Sequence, residues 1–157
     1  MKRIVSVLFL LVFAAVAFAQ ELPSEDIDGW ALSVLSSFGE NTKSILEALG
    51  KPERHEVKKE ENKHGYGMDT IDTLYYGGLT IAAISAEDGS WSHVFFLESD
   101  SSKYNFKEFS MGEDVGSLVK KLGNPERKNE SEIDYETDFT DVTLKTQDGR
   151  ITSVKIS

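Results

Sequence analysis

The sequence predicts an α+β fold built from two tandem units, each a helix followed by antiparallel strands. Three observations predict it. A segment reading LGxPER occurs twice, at Leu49–Arg54 and Leu122–Arg127. An apolar stripe at helical spacing precedes each copy. Runs of alternating polar and apolar residues follow each copy, as in strands with one buried face.

The first element is not part of the fold. "MKRIVSVLFLLVFAAVAFAQ" opens with Lys2 and Arg3, runs apolar from Ile4 to Phe18 apart from Ser6, and ends in the small-x-small triplet Ala17-Phe18-Ala19. That is the form of a secretory signal, cleaved after residue 19 and too short for a membrane span. The cut site lacks the cysteine that a lipid anchor requires, because the chain has no cysteine at all. The expectation is an exported protein, periplasmic or extracellular, with no membrane anchor after cleavage and no disulfides. Its core alone must stabilise it.

Helical spacing then joins Ile27, Trp30, Ala31, Val34 and Phe38 into an additional N-terminal helix. Laying Ser37–Arg54 over Ser110–Arg127, 73 residues apart, gives nine identities in 18 positions. Ile45, Leu46 and Leu49 form the apolar stripe of the first copy; Leu118, Val119 and Leu122 form that of the second. Gly50 and Gly123 sit at the helix C′ position, where a left-handed conformation is needed, and Pro52 and Pro125 prevent continuation. LGxP therefore reads as a helix stop. Similarity resumes at an offset of 60, with Tyr75 over Tyr135 and Asp88-Gly89 over Asp148-Gly149, so the first copy carries 13 extra residues. Both Asp-Gly pairs have tight-hairpin chemistry. The insertion, "EVKKEENKHGYGMD", reads as an extended hairpin or loop with Tyr66 between two glycines. Lys103–Phe109 reads as a linker, partly extended, into the second unit. One compact domain results, with the first unit over residues 20–102 and the linker and second unit over 103–157.

This arrangement, a helix ending in LGxP, then "YYGGLTI…DG", given twice behind a signal sequence, resembles the beta-lactamase-inhibitor-protein-like (BLIP-like) tandem-repeat fold. The half-unit is similar to that of small outer-membrane-assembly lipoproteins. The resemblance implies two helix-loop-helix plus antiparallel-sheet repeats, forming one continuous concave sheet with helices on one face. It also implies a non-catalytic protein that binds through the open sheet face. The inhibitors carry disulfides and the lipoproteins a lipidated cysteine, and this chain has neither. Only the architecture carries over.

Function is then expected where the copies differ. In the offset-60 alignment Ala82, Ile84, Val94 and Phe96 match Val142, Leu144, Val154 and Ile156, and this face is assigned to the helices. On the opposite face the second copy offers Glu136, Asp141, Thr143, Ser153 and Lys155; the first offers Tyr76, Ile81, Ala83, His93 and Phe95, with Leu74 and Trp91 nearby. An exposed apolar, aromatic patch marks an interaction site unless the chain covers it. Leu74, Tyr76, Ile81, Trp91, His93, Phe95 and the loop residue Tyr66 are therefore the candidate partner-binding residues. Three covers fit: the N-terminal helix with Trp30 or the linker with Tyr104 and Phe106; an extracytoplasmic protein or a second copy; or a small apolar ligand carried beneath the N-terminal helix.

Other chemistries are poorly served. The chain has a formal charge of −10, and losing Lys2 and Arg3 makes it more acidic, which excludes nucleic acid and disfavours anionic membranes. His55, His64 and His93 have no metal-ligand spacing. "DYETDFTD" lacks the glycine and terminal glutamate of a calcium loop. No GxSxG is present and cysteine chemistry is impossible, leaving a hydrolase only the paired carboxylates that any acidic chain offers. No cofactor, metal or catalytic residue is expected.

Overall fold

The computed structural model describes residues 24–62, 65 and 67–157. The signal segment, His64 and Tyr66 lie outside the described residues. The chain runs α1 (Ser24–Leu35), a 3-10 turn (Ser36–Phe38), α2 (Thr42–Leu49), β1 (Arg54–Glu61), β2 (Met68–Tyr76), β3 (Leu79–Ala86), β4 (Ser92–Ser99), α3 (Val115–Leu122), β5 (Arg127–Lys128), β6 (Glu132–Glu136), β7 (Asp141–Gln147) and β8 (Arg150–Ile156). This is an α+β protein with one open antiparallel sheet of eight strands in the order β1-β2-β3-β4-β8-β7-β6-β5. The insertion of the first half is a long hairpin, β1 on β2, paired from Arg54↔Tyr75 to Glu61↔Met68.

The LGxPER segments act as the sequence predicts. The Asn41 side chain caps α2 by accepting from the Ser44 amide at 2.9 Å, and Asp114 caps α3 by accepting from the Ser117 amide at 2.9 Å. Gly50 and Gly123 end these helices at φ +76° and +84°. Past each proline the chain enters the sheet: the Glu53 amide donates to the Tyr75 carbonyl at 2.8 Å, and the Glu126 amide to that of Asp134 at 3.0 Å. Each stop is also tied to the sheet by a phenol. Tyr76 donates to the Gly50 carbonyl at 3.1 Å and Tyr135 to the Gly123 carbonyl at 3.2 Å.

One cross-strand row organises the core. Leu74, Ile81, Leu97, Ile156, Val142 and Tyr135 are successive neighbours across six strands, and none exceeds 2% exposure. Helical residues Ile27, Trp30, Ala31, Val34, Ile45, Leu118 and Leu122 join the same cluster. The linker is irregular rather than partly extended, and its rings complete the core. Phe106 stacks on Phe109 at 4.8 Å, Trp30 meets Phe109 at 5.7 Å, and Phe38 meets Tyr104 edge-on at 6.0 Å. Glu108 fastens the linker, accepting from Ser33 and from Lys121, and the Lys121 bond holds its carboxyl below the usual range. The second half carries the single helix α3, preceded by this irregular linker, so the helix-loop-helix expected for it is not formed.

The row reverses the face assignment for the first half. Leu74, Tyr76, Ile81 and Ala83 lie on the helix side; Ala82, Ile84 and Phe96 lie on the open side. The offset-60 alignment set Tyr75 on Tyr135, whereas the phenol that closes the helix stop is that of Tyr76. A one-residue slip transfers a whole strand to the other face. In β3 nothing corrects the slip, since Leu79, Ile81 and Ala83 are as apolar as Ala82 and Ile84. In β4 a bulge intervenes. Ala82 pairs with Phe96 but Ala83 with Val94, leaving Phe95 without a partner, so Val94 and Leu97 both reach the core. The same shift recurs in β8: Lys145 pairs with Ser153 and Thr146 with Ile151, leaving Thr152 unpaired.

Two stability measurements check this account. Ile81→Ala, which opens a cavity in the row, is expected to cost about 2–5 kcal/mol in urea unfolding. Ile84→Ala, on the open face, should cost clearly less. Burial raises the Tyr135 phenol to about 12. Its contribution to stability is full below the unfolded value near 10 and is lost as pH rises toward about 12. Tyr135→Phe should therefore flatten the fall in stability across that window, at a cost near neutral pH of about 1 kcal/mol for the lost hydrogen bond.

Candidate binding face of the sheet

The open face of the first half is built from alternate residues of four strands. Lys58, Ile71, Ile84 and His93 form one cross-strand row; Glu56, Thr73, Ala82 and Phe96 form the next. Ile71 and Ile84 are direct neighbours, a pairing that stabilises a sheet face through side-chain contact. Ala82 is 4% exposed yet stands outside the core cluster, because its neighbours on the open face cover so small a side chain. Trp91 stacks on His93 at 5.5 Å and 24°. Trp91, at 38% exposed, and Phe95, at 36%, are among the large apolar side chains that face solvent.

Neither of the intramolecular covers lies here. Trp30 and Phe106 are buried in the core cluster and Tyr104 packs against it, all on the helix side. The second half presents a different chemistry on the same face. Its open positions are Glu132, Asp134, Glu136, Asp141, Thr143, Lys145, Ser153 and Lys155. One row runs across all eight strands, Arg54–Tyr75–Thr80–Glu98–Lys155–Thr143–Asp134–Arg127. It accounts for the arginine of each LGxPER, which opens the outermost strand on either side. Arg54 lies over the Tyr75 ring at 3.7 Å and pairs with Glu56 at 3.1 Å. Tyr75 donates to Glu56 at 3.0 Å, and that bond holds its phenol above the usual range. Arg127 stands 3.6 Å from Asp134.

At the far end of the β1–β2 hairpin the face hollows into a pocket of about 780 Å³. Ile84, Trp91 and His93 form one wall; Glu60, Glu61, Asn62 and Asp69 form the other. Asp69 is 8% exposed and accepts from the Asn62 amide group at 3.0 Å. On the helix side of the sheet edge, His55 lies 2.6 Å from Asp72, which also accepts from Thr42 at 3.0 Å. That arrangement ties α2 to the hairpin; the carboxylate, not the imidazole, is in the middle, so it is no hydroxyl–base relay. Among the described residues no group of three His, Asp or Glu is placed to hold a metal ion. No helix among them is long and apolar enough to cross a membrane.

Of the residues singled out from sequence, Trp91 and His93 stack on one another at the start of β4, and Phe95 stands at the bulge two residues on, also exposed. Leu74 and Ile81 are fully buried in the core, and Tyr76 is half-buried against it. Those three are corrected to structural residues by the one-residue slip. Sequence reasoning missed Ile71, Tyr75, Ala82, Ile84 and Phe96. The signal for them was the turn: with Gly77-Gly78 as a two-residue loop, Tyr76 faces Leu79 and Leu74 faces Ile81, which fixes the other set on the open side.

No family model and no curated protein matches this chain. Among solved structures it is similar to an extracellular protein containing a SCP domain from Bacillus anthracis strain Ames, at 13% identity and a TM-score of 0.40. The similarity covers 79% of this chain and 45% of that one, so the chain spans less than half the length of that protein.

Trp91 gives the face a direct optical probe. The other tryptophan, Trp30, is 5% exposed. Acrylamide is expected to quench one accessible tryptophan component, and Trp91→Phe should remove that component while leaving the buried one.

Proposed function

We propose that this protein is an exported, non-catalytic binding module that takes a protein partner on the open sheet face of its first half. The observation that carries the reading is the contrast along one sheet. Ile71, Ala82, Ile84 and Phe96, with Trp91 and His93, occupy positions on one half. Acidic, basic and hydroxyl side chains occupy those of the other half. Solvation explains a polar open face; it does not explain an apolar and aromatic one, and such patches mark interaction sites. Aromatic side chains are also those that carry interface energy.

The architecture we propose is the BLIP-like tandem repeat. Supporting it are the paired helix caps at Asn41 and Asp114, the paired phenol-to-glycine bonds of Tyr76 and Tyr135, and the paired bulges at Phe95 and Thr152. The signal-like N-terminus supports a partner met outside the cytoplasm, either another protein or a second copy of this chain. A carrier of a small apolar ligand is less well supported. The core under α1 is packed with its own Ala31 and Val34, both at 0% exposure, and the groove of about 440 Å³ between α1 and β4 is lined in large part by polar residues, among them Ser33, Ser36, Glu40 and Ser92.

The test compares three purified variants as bait in an extract of secreted or envelope proteins, with sedimentation to detect self-association. Ile84→Asp and Phe96→Asp are expected to lose whatever wild type retains, whether partner or second copy. Thr143→Asp, on the polar half, should retain it. Equal retention by all three would place the binding surface elsewhere.

A further inference from the structure

The sheet has an edge in its middle. β4 runs from Ser92 to Ser99, but its ladder with β8 covers only Leu97, Glu98 and Ser99. Its ladder with β3 extends back to Ser92. Ser92–Phe96 is therefore paired on one side and, among the described residues, has no strand on the other. The β1–β2 hairpin lies beyond β3, on the opposite side of β4 from this gap.

Backbone alternation identifies the groups left over. The Ala86 amide donates to the Trp91 carbonyl at 3.1 Å, so Trp91 and, two residues on, His93 direct their backbone bonds at β3. Ser92 and Val94 direct both N–H and C=O into the gap, and no backbone bond to either is formed there among the described residues. Val94 is 6% exposed, so its side chain seats this length of strand on the core while its backbone stays open. Space lies alongside. The groove of about 440 Å³ between α1 and Ser92–Val94 has Gly29, Leu32, Ser33 and Ser36 along its helical wall.

Alternating bare donors and acceptors are matched by another extended backbone. The gap is one lane wide. Ser157 exchanges backbone bonds with Asp141 at 2.9 and 3.0 Å, and the β6–β7 turn projects past them, fastened by Thr137 and Thr140 to Asp28 of α1. A lone strand fits such a lane. The β4 edge of a second copy would bring its own β3 against that turn. We propose that the free side of β4 receives a short extended segment of the protein partner as an added strand, bonded to Ser92 and Val94. One set of its side chains enters the groove, where small or hydroxyl groups fit beside Gly29, Ser33 and Ser36. The other set lies on the open side with His93 and Phe95. His93 and Phe96 belong to this strand and to the open face, so edge and face are continuous. The inference rests on the binding reading above and adds how the partner is held: by its main chain.

The experiment follows amide hydrogen exchange of the whole protein by NMR, with an acetylated, amidated pentapeptide, Thr-Val-Thr-Val-Thr, as probe. In the free protein the Ser92 and Val94 amides are expected to exchange faster than that of His93. Saturating peptide should slow both by about tenfold or more. The same peptide methylated on every backbone nitrogen keeps its side chains and should give no protection. Ser92→Pro removes one donor on the free side and none used by β3; it should weaken the peptide by about tenfold, provided its thermal unfolding matches wild type. Protection by the methylated peptide, or none by either, overturns the proposal. Protection that grows with protein concentration without peptide assigns the edge to a second copy and also overturns it. If the edge fails while Ile84→Asp still loses the partner, the binding face stands. If Ile84→Asp retains the partner as well, both fail.

Discussion

Six side chains in one cross-strand row, Leu74 to Tyr135, are the constraint on which the rest of this structure depends. They tie the register of six strands together, because moving a strand by a residue would turn its contribution to the open face, and in β6, β7 and β8 would bury a charged or hydroxyl neighbour. They also receive the helices, whose apolar stripes have no other surface to cover. The row crosses the junction between the halves at Leu97 and Ile156, so the two halves share a core instead of merely abutting. Once this row faces the helices, the open side follows from alternation, interrupted at the bulges of Phe95 and Thr152.

Much of this was legible in the sequence. The helix stops at Gly50 and Gly123, the hairpin turns, the α+β class and the helix α1 all follow from local chemistry that tertiary structure did not override. The inequality of the two open faces was also legible, since Thr143, Ser153 and Lys155 cannot be mistaken for a core. The identity of the apolar residues on the first face was not. Periodicity gives a face only when one of two alternating sets is polar, and in β3 neither is. The bulge at Phe95 then broke the count in β4, a shift that no residue type announces. The arginines of LGxPER were opaque for a different reason: their partners, Tyr75 and Glu56 in one half and Asp134 in the other, are set by strand pairing.

The edges of the sheet explain why the apolar face is tolerable. β1 carries Arg54, His55, Glu56, Lys58, Lys59, Glu60 and Glu61 in eight residues, and β5 is only Arg127-Lys128. Charged or very short edges discourage strand-to-strand aggregation. The aromatic surface lies inward of β1. Of its strands, β2 and β3 are paired on both sides over most of their length, and β4 leaves Ser92–Phe96 unpaired on one side. The protein thus presents side chains for contact while offering little other bare backbone.

The join between β4 and β8 rests on three residue pairs, Leu97↔Ile156, Glu98↔Lys155 and Ser99↔Val154. Adjacent ladders within each half are longer, with eight pairs between β2 and β3. A short ladder between two longer ones is a mechanical seam. Under tension between β3 and β7, the β4–β8 ladder is the shortest of the three crossed, and each half would keep its own turn, helix stop and phenol latch in place. The apolar open face lies on one side of that seam, and Lys155 reaches across it to stand 6.0 Å over the Phe96 ring.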